Sequence, residues 1–159
     1  MIHGSCLCGG IRYTVSGPVH RMGHCHCSMC RKHHGAAFGT YVNAYATDFA
    51  IVEGEALLGR YASSPDAVRT FCTRCGSTMT WLGHASPGEV GIAAGTLDDD
   101  PGIRPERHIF VASKAPGYTP PEDGLQKRDG GSRPATRGLR PSDRRTPARA
   151  CAGSPPPPR

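Results

Sequence analysis

The sequence has no long hydrophobic run, few aromatic residues and no apolar leader. No stretch of about 18 apolar residues occurs, which argues against a membrane-spanning helix. Aromatic residues make up only 6% of the chain, and none follows Tyr118. The C-terminal region therefore lacks the rings on which nucleic-acid bases stack. Because the first residues do not contain the apolar core of a secretion signal, we expect a cytoplasmic protein.

Positive charge is concentrated at the C-terminal end of the 159-residue chain, whose formal net charge is +6. Residues 1–120 contain 10 basic and 9 acidic residues, whereas residues 121–159 contain 9 and 4. The C-terminal stretch is rich in Pro, Arg and Gly and cannot bury enough apolar surface to offset the entropy lost on ordering. We predict one domain at residues 1–118 and a disordered basic tail at 119–159, and we do not expect nucleic acid as a partner.

Short segments of alternating apolar residues, separated by Gly, Pro and Asp, run from residue 1 to about 112. Their spacing of about 8–12 residues predicts a mainly β domain of antiparallel sheets. One helical turn is predicted at 28–34, with Ser28 as its N-cap and Gly35 at its end. The predicted strands are 11–15, 38–42, 49–52, 56–61, 68–72, 78–82, 90–94 and 108–112.

Cysteine, in contrast, is abundant, and seven of the eight cysteines form three tight groups. Eight cysteines without a secretion signal favour reduced thiols and metal binding over disulfides. Cys151 lies in the predicted tail, and we do not expect it to be a ligand. The three groups are Cys6 with Cys8, Cys25 with Cys27 and Cys30, and Cys72 with Cys75.

The first and third groups together predict a closed zinc site. Cys6 and Cys8 can present both sulfurs on one face of a strand. Cys72 and Cys75 form a Cys-x-x-Cys turn that is followed by Gly76. Four thiolates are the usual ligand set of structural zinc. A clip of this kind contributes on the order of 10 kcal/mol or more to folding in zinc peptides.

The central group, Cys25, Cys27 and Cys30, is one ligand short of a closed site. Catalytic zinc sites have three protein ligands and keep one coordination position open for water or substrate. Our interpretation is such an open site. The alternative is a second structural site in which a histidine is the fourth ligand. The histidines near enough in sequence are His24, His26, His33 and His34.

Six sequence motifs follow one another in a fixed order between residues 3 and 116. They are GSCLCGG at 4–10, HCHCSMCRK at 24–32, GAAF at 35–38, FCTRCGS at 71–77, AGTLD at 94–98 and RHIF at 107–110. This ordered series resembles the glutathione-dependent formaldehyde-activating enzyme family, which shares its domain with centromere protein V. The series is far more specific than a single Cys-x-x-Cys motif.

The resemblance implies an Mss4-like fold of antiparallel sheets around zinc. It also implies a carbon–sulfur lyase of the S-(hydroxymethyl)glutathione synthase type, which condenses a thiol such as glutathione with a small aldehyde such as formaldehyde. Two zinc ions are implied as cofactors. The structural ion is held by Cys6, Cys8, Cys72 and Cys75, and the catalytic ion by Cys25, Cys27 and Cys30.

The reaction needs a proton donor for the new alkoxide. His33, His34 and Tyr41 are candidates because they lie near the central cysteines in sequence. The alternative function is a non-catalytic zinc-binding module for protein or nucleic-acid interaction, which the basic tail and the centromere relative permit.

Overall fold

The chain forms a three-stranded and an eight-stranded β-sheet in the computed structural model, which describes residues 1–131. Residues 132–159, including Cys151, lie outside the described part. The strands are β1 (Ile2–Ser5), β2 (Arg12–Val15), β3 (His20–Cys25), β4 (Gly39–Tyr45), β5 (Phe49–Glu53), β6 (Leu58–Ser64), β7 (Ala67–Cys72), β8 (Thr78–Gly83), β9 (Glu89–Ala93), β10 (Arg107–Ile109) and β11 (Gln126–Lys127). The α-helix is α1 (Ser28–His34), and short 3-10 turns span Ala46–Asp48, Glu55–Leu57, Ala94–Thr96 and Val111–Ser113.

The small sheet has the order β1-β2-β5, and the large sheet has the order β11-β10-β3-β4-β9-β8-β7-β6. All paired strands are antiparallel except at one edge of the large sheet. There β10 pairs in parallel with both β3 and β11. The prediction of a mainly β fold is confirmed, and the parallel edge is a feature that the sequence did not indicate.

The predicted strands each overlap a strand of the structure, but three strands were not predicted. These are β1, β3 and β11. The sequence of β3, HRMGHC, contains no β-branched residue and does not alternate. Pairing with β4 and β10 holds it in the sheet instead, so tertiary contacts outweigh its weak strand propensity.

The helix bounds are as predicted, but its N-cap is Cys27 and not Ser28. The Sγ atom of Cys27 accepts a hydrogen bond from the backbone N–H of Cys30 at 3.4 Å. Ser28 is the first helical residue. Gly35 ends the helix in the left-handed conformation, with φ 59°, as the sequence predicted. This cap places the Sγ atom of Cys27 next to Cys30, the next cysteine of its group.

The described structure continues beyond the predicted domain boundary at residue 118. Residues 126–127 form β11, and the backbone N–H of Phe110 donates to the carbonyl of Gly130 at 3.0 Å. The first part of the predicted tail, 119–131, therefore packs on the domain. Backbone hydrogen bonds to β10 order this stretch. Its low apolar content gives no indication of them.

The largest buried side chains lie where the two sheets face each other. Strand β2 of the small sheet and the turn before it contribute Ile11, Tyr13 and Val15 to this core. Each fully buried aliphatic side chain of this size stabilises the fold by roughly 1.5–3 kcal/mol. The large sheet contributes Val42, Ala44, Met79, Val90 and Ile92, and Cys6 and Cys72 border the same cluster.

Within residues 1–131, no helix has the length and apolar character that crossing a membrane requires. The one α-helix of this described part has 7 residues.

A close backbone contact holds the turn after β5 against the turn before β2. Gly54 has φ 74°, and a Cβ atom at this position would lie 1.8 Å from the carbonyl oxygen of Gly10. Leu57, three residues later, accepts a backbone hydrogen bond from Thr73. The contact therefore brings the chain segments on either side of the predicted four-cysteine site together.

We predict that Gly54→Ala destabilises the protein by about 2–4 kcal/mol, since it adds a backbone collision to the strain of a left-handed alanine. Gly102→Ala is the matched control. Gly102 has φ 73° but nothing within 4 Å of its Cβ position, so only about 1 kcal/mol is expected. Urea unfolding measures both free energies. Equal losses for the two variants would contradict the proposed collision.

Candidate functional site

Four cysteines meet at the junction of the two sheets. Cys6 and Cys8 lie in the turn after β1, Cys72 ends β7, and Cys75 follows in the next loop. Their Sγ atoms all lie within 4.8 Å of one another. The Cys6–Cys8 and Cys8–Cys72 sulfur distances are 3.5 and 3.9 Å. Sulfurs of a tetrahedral zinc site lie about 3.8 Å apart, because Zn–S bonds are about 2.3 Å long.

Tight turns aim these sulfurs at one point. The backbone N–H of Ile11 donates to Cys6 Sγ at 3.2 Å, and Gly76, with φ 77°, donates to the carbonyl of Cys72 at 2.8 Å. Hydrogen bonds from Ser77 lower the pKa of Cys75 to about 5. Donors that stabilise thiolates, at tetrahedral spacing, fit a zinc ion.

A second group contains the three central cysteines. Cys25 ends β3, Cys27 caps α1, and Cys30 lies in its first turn. All three are buried, and their Sγ atoms also lie within 4.8 Å of one another. The structure thus brings the seven predicted site cysteines together in the predicted groups of four and three.

No histidine nitrogen of residues 1–131 lies within 4.8 Å of all three central sulfurs. His24 Nδ1 contacts Thr40 Oγ1 at 2.9 Å, and His26 Nε2 contacts His108 Nδ1 at 2.8 Å. The geometry therefore does not support the alternative in which a histidine completes this site. Within the described part of the chain, the central group has three side-chain ligands, one fewer than a closed structural zinc site.

The three buried thiols need a positive charge nearby if they are to ionise together. Contacts with Cys27 and Cys30, and then burial, raise the pKa of Cys25 well above its ordinary value. Buried thiols at ligand spacing whose ionisation is disfavoured are a donor set that a bound zinc ion would stabilise as thiolates. The central group therefore fits a metal ion.

A buried arginine beside this group was not identified from the sequence. Arg69 on β7 is only 2% exposed. Its guanidinium donates from Nη2 to Cys30 Sγ at 3.5 Å, from Nη1 to Tyr41 Oη at 3.0 Å, and from Nε to Ser63 Oγ at 3.1 Å. Burial alone would lower the pKa of Arg69, but the negative charge of Cys30 raises it. Arg69 lies within the predicted strand 68–72, but a charged residue on a strand ordinarily indicates an exposed face, so no sequence signal marked it as buried.

Two of the three proton-donor candidates also meet at this point. Tyr41 Oη lies 2.8 Å from His34 Nε2. Burial raises the pKa of Tyr41, and burial followed by the charges of His33 and Arg69 lowers the pKa of His34 to about 4. Tyr41 therefore accepts from Arg69 and donates its O–H to a neutral His34. The third candidate, His33, does not take part, and its ring lies 6.4 Å from that of Phe71.

The three cysteines open onto a cavity of about 410 Å³. Arg69 and Tyr41 line the same cavity, so the polar cluster and the thiols face one space. Its apolar wall includes Met29, Trp81 and Phe110, and its polar wall includes Asn43 and Asp66. These residues come from distant loops and strands, and the sequence alone did not place them here.

A family model described as glutathione-dependent formaldehyde-activating enzyme matches residues 1–113. The match covers most of the chain and contains both cysteine groups. The chain belongs to this family. The sequence resemblance is thereby confirmed.

Two relatives and one solved structure are similar to this chain. The "Putative glutathione-dependent formaldehyde-activating enzyme" of Halomonas elongata is 30% identical over 135 residues, which is 80% of this chain and 85% of the relative. An uncharacterized lyase of Schizosaccharomyces pombe is 33% identical over 76 residues, 48% of this chain and 53% of the relative. A crystal structure of a Rhodobacter sphaeroides protein has a TM-score of 0.54 at 26% identity, with 65% and 91% coverage. The last match shows a similar fold.

We predict that Arg69→Met destabilises the protein by about 3 kcal/mol, because Cys30, Tyr41 and Ser63 lose a buried donor and the thiol group loses its adjacent positive charge. Chemical unfolding measures the change. The matched control is Arg60→Met on the neighbouring strand β6, where Arg60 is exposed, and it should change stability by less than about 0.5 kcal/mol. Similar values for both variants would show that Arg69 does not stabilise this cluster.

Proposed function

We propose that this chain is a zinc-dependent carbon–sulfur lyase that joins a thiol of the glutathione type to a small aldehyde of the formaldehyde type. Membership of the family supports the general reaction. The names of the Halomonas and Schizosaccharomyces relatives agree with a lyase of this kind. A cytoplasmic location, and a thiol and an aldehyde as partners, remain predictions.

The observation that carries the proposal is a buried group of three thiols that has no fourth side-chain ligand among residues 1–131 and faces a cavity of about 410 Å³. A purely structural zinc site is closed by four protein ligands, as the group around Cys72 is arranged to be. The open group and its cavity favour the enzyme over the non-catalytic zinc module. We assign the structural zinc to Cys6, Cys8, Cys72 and Cys75, and the catalytic zinc to Cys25, Cys27 and Cys30.

When bound, the catalytic zinc would supply Lewis-acid chemistry that favours a thiolate at neutral pH and polarises a carbonyl oxygen. The reaction itself forms one carbon–sulfur and one oxygen–hydrogen bond and breaks the S–H bond and the carbonyl π bond. The thiolate sulfur attacks the carbonyl carbon, the π electron pair moves to oxygen, and that oxygen takes up one proton. The thiol loses one proton and the alkoxide gains one, so the protons balance. No oxidant or reductant is needed.

The residues of the chain position the reactants and handle this proton. Arg69 holds a positive charge against Cys30 and orients the hydroxyl of Tyr41. Tyr41 lines the cavity and keeps its proton, since its pKa is raised by burial. We assign to Tyr41 the role of giving a hydrogen bond or proton to the new alkoxide, for which its single O–H turns from His34 Nε2 toward the cavity. The apolar wall of the cavity excludes water from the reacting groups.

The decisive measurement is the exchange of formaldehyde with its glutathione adduct, followed by NMR with and without the protein. We expect acceleration by the zinc-loaded wild type and loss of that acceleration in Cys27→Ser. Metal analysis should find about two zinc ions per wild-type chain and about one in Cys27→Ser.

Cys151→Ser is the matched control, since it also replaces one cysteine by serine but lies outside the proposed sites. It should retain both ions and full activity. An absence of acceleration with glutathione and with other thiols, by a wild-type protein that contains two zinc ions, would refute the enzyme proposal.

We predict that Tyr41→Phe lowers kcat about 100-fold, because a positioned proton donor typically contributes 10²- to 10⁴-fold. Its zinc content should stay at the wild-type value. Tyr45→Phe is the control on the same strand, where Tyr45 is half exposed, and it should leave kcat unchanged. A rate for Tyr41→Phe equal to that of Tyr45→Phe would remove Tyr41 from the mechanism.

A further inference from the structure

Residues 119–131 lie beyond the family-matched region and pack directly on β10. This strand supports the three-thiol site, which is formed by Cys25, Cys27 and Cys30. The backbone of Arg128 donates to the carbonyl of His108 at 2.9 Å and accepts from Val111 at 3.0 Å. Gly130 accepts from Phe110, whose φ of 56° is unusual for a residue other than glycine. The segment 119–131 therefore holds β10 and a wall residue of the cavity in place, although the family model ends at residue 113.

A line of side-chain hydrogen bonds runs from the same segment into the site. Asp123 Oδ2 lies 3.0 Å from His108 Nε2, and His108 Nδ1 lies 2.8 Å from His26 Nε2. Both histidines are buried, with exposures of 1% and 0%. The ring of His26 also stacks at 5.8 Å on that of Tyr118, another residue beyond the family match.

The chemistry of the carboxylate and the burial of His26 set the order of protons along this line. The hydrogen bond from His108 lowers the pKa of Asp123, so the carboxylate is an acceptor and His108 carries its proton on Nε2. His26 Nδ1 is buried without a hydrogen-bond partner, so the ring proton of His26 lies on Nε2 and is donated to His108 Nδ1, which accepts. The opposite tautomer of His26 would leave an orphaned N–H at this buried atom, which is costly.

His26 is the residue between two of the three cysteines. Its backbone N–H donates to the carbonyl of Ile109 on β10 at 2.9 Å, and Cys25 pairs with Ile109 in the sheet. The ring and the backbone of His26 are thus both held from the β10 side. Rotation of this residue would turn the flanking sulfurs of Cys25 and Cys27 away from Cys30.

We propose that Asp123 is a positioning residue which, through His108 and His26, fixes the directions of Cys25 and Cys27 in the three-thiol site. The segment 119–131 is then part of that site. The inference rests on the proposed function only in taking this group as a metal site. Mutation of residues that hold metal ligands in place through hydrogen bonds typically lowers metal affinity by 10- to 100-fold.

The test compares Asp123→Ala with Glu122→Ala in the zinc-loaded full-length protein. Glu122 is the adjacent acid, is 95% exposed and contacts only Lys127 among the ion pairs of residues 1–131. Zinc transfer to a chromogenic chelator is followed in time, and Cys27→Ser assigns the phase that belongs to the three-thiol site. We expect this phase to be at least about tenfold faster in Asp123→Ala, with the four-thiol phase unchanged and both phases unchanged in Glu122→Ala.

Nitrogen-15 NMR of the histidine rings gives a second readout that does not depend on zinc release. In the wild type we expect the proton on Nε2 of both His26 and His108, and in Asp123→Ala we expect loss of this fixed tautomer and faster exchange of the His26 amide. A His26 proton on Nδ1 in the wild type would overturn the proposal. Equal release rates in the two alanine variants, or equal acceleration of both zinc phases in Asp123→Ala, would also overturn it.

The two proposals can fail separately. If the wild-type three-thiol group holds no zinc, the proposed function fails, and the ring tautomers and the His26 amide still decide whether Asp123 positions this residue. If zinc is bound and the reaction is accelerated but Asp123→Ala behaves as Glu122→Ala does, only the positioning role is refuted.

Discussion

Three thiols packed within 4.8 Å of one another in a buried site depend on positive charge. Three thiolates carry three negative charges, and burial makes each of them costly. If a divalent ion is held there as proposed, it offsets two of these charges, and Arg69 is placed to offset the third. The buried guanidinium, its hydrogen bonds to Tyr41 and Ser63, and the cavity beside them are all arranged around this balance.

The cysteine groups and most strands could be predicted because local rules determine them. The turn of Cys72 to Cys75 follows from Cys-x-x-Cys-Gly, and the alternating segments of β2, β7 and β8 follow from period-2 patterns. The helix end at Gly35 follows from its tolerance of positive φ. These features depend on residues that lie within a few positions of one another.

The remaining features depend on contacts between distant residues. β3 has little strand propensity and is held by its neighbours, and β11 lies in a stretch whose composition is typical of disorder. The helix cap was assigned to Ser28 because serine is a common cap, whereas the position of the thiol group selects Cys27. Arg69 is nearly 40 residues from the cysteine it contacts, and a charged residue on a strand ordinarily indicates an exposed face.

One strand connects the two cysteine groups. β7 ends at Cys72, a member of the four-thiol group, and carries Arg69, which contacts the three-thiol group, three residues earlier. Three residues of extended chain span about 10 Å. Anchoring the end of β7 therefore also places the guanidinium, so a displacement of Cys72 is expected to change the position of the positive charge beside Cys30.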